Sequence, residues 1–104
     1  ISAAIRTRES TLATVVATRS ASEAAAYAAR GVALQSAYAG TDTATIKASV
    51  KKAWDAFSTA QKNTKKTYQR GRENTWNAFK TAVKACKGGE SVSDSRNAAV
   101  EQQL

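Results

Sequence analysis

The side chains with chemistry to offer in this 104-residue chain are nine lysines, seven arginines, two tryptophans and one cysteine; histidine is absent. Without histidine there is no Ser–His–Asp or Cys–His nucleophile system and none of the usual zinc sets. The acids Asp55, Glu73 and Glu90 lie scattered among lysines and form no paired-carboxylate site. No P-loop and no dinucleotide-type glycine fingerprint occurs. The chain therefore reads as a non-enzyme with no cofactor and no metal. Cys86 stands near Lys84 and Lys87, whose charge would favour a thiolate. It also shares an eleven-residue column with Ala53, Thr64 and Thr75, so packing accounts for its position. A single cysteine makes no intrachain bridge.

The cations form the one coherent pattern. Residues 41–88 carry eleven Lys/Arg against three acids, for a net +8, whereas residues 1–40 carry +2 and residues 89–104 carry −2. Lys47, Lys51, Lys62, Lys66, Arg70, Lys80 and Lys84 fall on the back of one helical segment at 100° per residue. Such a stripe can hold a solvated surface or meet an anionic polymer, nucleic acid included. No recognition-helix turn, RNA-binding aromatic motif or zinc finger accompanies it. No apolar run approaches the roughly 18 residues that span a bilayer.

The elements that carry these residues are long helices. The chain has no proline, and alanine supplies much of its 42% hydrophobic content. Ile46, Phe57, Tyr68 and Phe79 stand eleven apart, as do Ile5, Val16, Tyr27 and Tyr38. Eleven residues make three turns with about 20° of drift, so each set is a nearly straight stripe. These eight residues are the expected intrachain core. Beside the first-helix stripe run the columns Ala4, Val15, Ala26, Ala37 and Arg8, Arg19, Arg30. The arginines are expected at its edge, with stems over the seam and heads in water.

The phase resets between Tyr38 and Ile46, at Gly40-Thr41-Asp42. Glycine suits a helix C′ position, and Thr41, Asp42 or Thr43 can cap the next helix. The spacing thus predicts an all-α, long antiparallel hairpin over 1–88: helix 1 over about 2–39, a turn at 40–42, helix 2 over about 43–87. Gly71 is expected not to break helix 2, because the stripe keeps phase across it. Residues 89–104 read as a tail with a short helix near 95–103.

Helix 2 contains a duplication at an offset of 22: residues 53–62 (AWDAFSTAQK) match residues 75–84 (TWNAFKTAVK). It places Trp54 and Trp76 on one edge of the stripe. Ser49, Ala60, Gly71 and Ala82, all small, line the other. A bulky edge and a small edge suit a helix with two different neighbours, so these six residues are the expected subunit interface. Side-by-side stacking through unlike edges gives a filament when it does not close.

The pattern Ala53-Trp54-x-Ala56-Phe57, then Trp76-x-Ala78-Phe79-Lys80-x-x-x-Lys84-Ala85-Cys86-Lys87, resembles a loose group of small secreted Ala/Lys-rich helical proteins from candidate-phyla bacteria. Arg6-x-Arg8-Glu9 is similar to that group's first helix. The resemblance implies export and no reaction; members often carry a second cysteine near the N-terminus, which is not present here. The chain starts at Ile1 and contains no methionine, so either a leader removed before Ile1, the preferred expectation, or a trimmed chain accounts for the start. The expectation is a secreted or surface structural subunit that assembles with copies of itself. The alternatives are a basic nucleic-acid-binding protein and a secreted helical-bundle module that does not polymerise.

Overall fold

The computed structural model describes residues 1–86, and the readings on Lys87 and on residues 88–104 lie outside it. Two helices make up the fold: α1, Ser2–Tyr38, and α2, Thr43–Ala85. They pack as an antiparallel hairpin with no strand among the described residues. α2 runs unbroken through Gly71. An alanine-rich, proline-free sequence has no residue that must interrupt either helix.

The turn between them is short and hydrogen-bonded. Ala39 N donates to Gln35 O (3.2 Å) and Gly40 N to Ala37 O (3.3 Å). A Cβ at position 40 would lie 3.3 Å from Ile46 Cγ1 and 3.4 Å from Ala37 O, so close approach is what glycine serves there. Asp42 caps α2: its Oδ2 accepts from Thr45 Oγ1 (2.8 Å) and Thr45 N (3.3 Å). These bonds to the ionised carboxylate, the hydroxyl bond foremost, lower its pKa.

The chain divides into two compact units, each built from a piece of both helices. In the first, Ile1–Ala17 packs with the α2 residues from Thr67 onward. Its core is Leu12, Trp76, Phe79 and Val83, with Ala4 against them. Gly71 lets the backbones close up, since a Cβ there would sit 3.1 and 3.2 Å from the two methyls of Val15. Thr75 is buried, and its hydroxyl donates to Gly71 O at 2.7 Å, so no hydroxyl is stranded. The second unit is Thr18–Lys66. Ala26, Ala37 and Ala53 are buried in it, and the Tyr27 and Phe57 rings meet at 5.2 Å.

The eleven-residue period holds on α1, but the face that turns inward is not the one expected. Ile5, Val16, Tyr27 and Tyr38 are 40, 41, 54 and 66% exposed. The inward column is Ala4, Val15, Ala26 and Ala37, joined by Leu12 and Leu34 and by the arginines at 8, 19 and 30. Alanine in the seam lets the backbones approach, and the long arginine stems fill what alanine leaves open. On α2, Phe79 is buried and Ile46, Phe57 and Tyr68 are half-buried.

Candidate interaction surfaces

Each unit contains one arginine of α1 laid on a Trp-x-x-Phe pair of α2. In the first, Arg8 Cζ is 4.7 Å from the Trp76 ring centre and 4.4 Å from that of Phe79. The two rings meet edge to face at 5.8 Å. In the second, Arg30 Cζ is 4.6 Å from Trp54, 4.4 Å from Phe57 and 5.0 Å from Tyr27. There the Trp54 and Phe57 rings are again edge to face, at 6.1 Å. A guanidinium over an aromatic face is attracted by the ring quadrupole, by about 2 kcal/mol when desolvated. Arg8 is buried, and its charge is balanced by Glu9, whose Oε1 accepts from Nη2 at 2.7 Å and Nε at 3.2 Å. The duplication in α2 thus has a counterpart in α1: Arg8 and Arg30 are 22 apart, like Trp54 and Trp76. That equal spacing is the sequence signal for the clamp, and it is readable only when alanine is taken as the seam.

The two tryptophans have different fates. Trp76 is 5% exposed and belongs to the core of the first unit; Trp54 is 49% exposed. Trp76 is therefore spent inside the chain and offers no subunit contact. The expected close-packing edge is also partly used up. Gly71 receives Val15 of α1, and Ser49 and Ala60 are half-buried, while Ala82 is exposed.

Among the described residues three surfaces are open. The first is the outer face of α1, where Ile5, Val16, Tyr27 and Tyr38 are exposed. The second is a half-open, mainly apolar groove of about 480 Å³ in the first unit. Small residues such as Ala4, Thr7, Gly71, Ala78 and Ala82 line much of it, with the larger Arg8, Val15, Asn74 and Phe79 among them. The third is the basic face. Lys47, Lys51, Lys62, Lys66, Arg70, Lys80 and Lys84 are all exposed. Lys51 Nζ donates to Asp55 Oδ2 at 2.7 Å, one helical turn on, and that bond raises the lysine pKa. The pair is open to solvent on both sides and so adds little to stability.

Cys86 is half-buried at the end of α2, its thiol donating to Ala82 O at 3.3 Å. Among the described residues no group of His, Cys, Asp and Glu is placed to hold a metal. No described helix is long and apolar enough to cross a membrane. Comparison with known protein families, curated proteins and solved structures gives no match to this chain.

Proposed function

We propose that the chain is a structural subunit that assembles with copies of itself into a filament, exported to the cell surface or beyond. The observation that carries this is the exposed apolar ladder of α1. Large side chains recur every eleven residues on the outside of a helix whose seam is made of alanine. An exposed apolar strip of this kind marks an interaction site. The groove of the first unit is its natural complement, since it presents small residues and open volume. A tyrosine of the second unit seated in the groove of another copy is a contact between unlike patches. Contacts of that type propagate into open filaments unless the rotation closes a ring. The interface thus shifts from the tryptophan edge to Tyr27 and Tyr38 as knobs and to the Ala78 and Ala82 side as the hole.

The reading is tested by light scattering over a concentration series. The wild-type chain should grow in mass with concentration. Val16→Lys/Tyr38→Lys, both at exposed positions of the ladder, should hold it at the subunit mass with its helix content unchanged. A wild-type chain that stays monomeric up to millimolar concentration would end the proposal. So would a double variant that assembles as well as the parent.

A further inference from the structure

We infer that the exposed Trp54, with the lysines around it, is a binding surface for single-stranded nucleic acid. The inference does not rest on assembly: residues of α2 carry it, and the part of the α1 ladder next to them is Tyr27, which shares Arg30 with Trp54. At 100° per residue, Lys47 and Lys65 lie about 20° from Trp54, Lys51 about 60° and Lys62 about 80°. All five side chains are exposed. Between Thr43 and Lys66, α2 has six lysines against one acid, Asp55, which Lys51 holds in a solvent-open pair that a phosphate can replace.

The duplication allows a comparison at two positions. The positions equivalent to Lys47 and Lys51 beside Trp76 are Gln69 and Glu73. At those two positions the buried tryptophan has a neutral residue and an acid, whereas the exposed one has two cations. Both tryptophans have cations nearby, since Lys84 stands where Lys62 does and Arg72 and Lys80 lie one turn either side of Trp76; what sets Trp54 apart is that its ring is open to solvent. Arg30 braces one face of that ring from α1 at 4.6 Å, and Trp54 stays 49% exposed. A positive track beside a fixed aromatic surface suits a chain of phosphates whose bases stack. A polyanion without rings would use the lysines and leave Trp54 idle.

The experiment compares two oligonucleotides of equal length and charge, a thymidine 20-mer and its abasic counterpart, at low salt. The protein is the whole chain carrying Trp76→Phe, so that emission reports Trp54 alone. Trp76 Nε1 has no hydrogen-bond partner among the described residues, which makes phenylalanine a mild replacement. The expected result is that the thymidine strand quenches Trp54 and binds about tenfold more tightly than the abasic one. Binding should weaken steeply as salt rises, and Lys47→Gln/Lys62→Gln should lower that slope. Should Trp76→Phe fail to fold, anisotropy of the labelled strands with the wild-type chain gives the same comparison. Equal affinity for the two strands would identify a plain polyanion site and overturn the inference, as would no binding of either at 50 mM salt or below.

Discussion

At the scale of single residues, three positions have consequences set by their surroundings. At Gly31 a Cβ would meet nothing within 4 Å, so the glycine only costs helix propensity. Gly31→Ala should raise unfolding stability by about 0.5–1 kcal/mol in a urea titration. At Gly71 the same added carbon meets Val15, and a larger side chain has no room. Gly71→Leu should destabilise by about 1–3 kcal/mol through overpacking. Opposite signs at two glycines of the same chain would be a direct check on the packing. Asp42 adds a pH dependence. Its folded-state pKa is lowered by Thr45, so its contribution is present above the unfolded value and is lost as pH falls through the folded one. Asp42→Ala should therefore lower the thermal midpoint at neutral pH and matter progressively less as pH falls through the folded-state value.

At the scale of elements, the contrast between the two Trp-x-x-Phe pairs is the main finding. Trp76 stands in a core with Leu12, Phe79 and Val83; Trp54 stands half in water. Trp76→Ala should cost about 3–5 kcal/mol of stability, a loss typical of a buried tryptophan. Trp54→Ala should cost about 1 kcal/mol, mostly its contact with Arg30. Chemical denaturation of the two variants side by side separates them.

The hairpin itself is legible in the sequence, because period and turn chemistry survive any rotation of a helix about its axis. The reset at Gly40–Asp42 and the passage of α2 through Gly71 need nothing more. The phase of α1 is not legible. Hydrophobicity points Ile5, Val16, Tyr27 and Tyr38 inward, whereas the seam selects for size and puts alanine there. With alanine inside, arginine becomes the residue long enough to reach the rings of α2. A scale that scores arginine as surface cannot see that. Two of the six expected interface residues, Trp76 and Gly71, turn inward for the same reason. Trp76 and Gly71 look like unused edges only if α1 is given the wrong face.

At the scale of the whole molecule, charge and apolar surface pull in opposite directions. A net charge of +8 opposes the approach of like copies. Salt screens that repulsion, so assembly through the α1 ladder should strengthen as ionic strength rises. Binding of nucleic acid at Trp54 should weaken over the same range. One salt series thus tells the two surfaces apart.

The most direct test of the α1 ladder as the assembly surface is a mixed cross-linking experiment. In a Cys86→Ala background, one preparation carries Tyr38→Cys and another carries Ala82→Cys. Mixed and oxidised, they should give a disulfide-linked pair containing one chain of each kind, well above the pairs formed by either alone. Links that form no more often in the mixture than with a cysteine placed at exposed Lys52 would contradict the role given to the ladder.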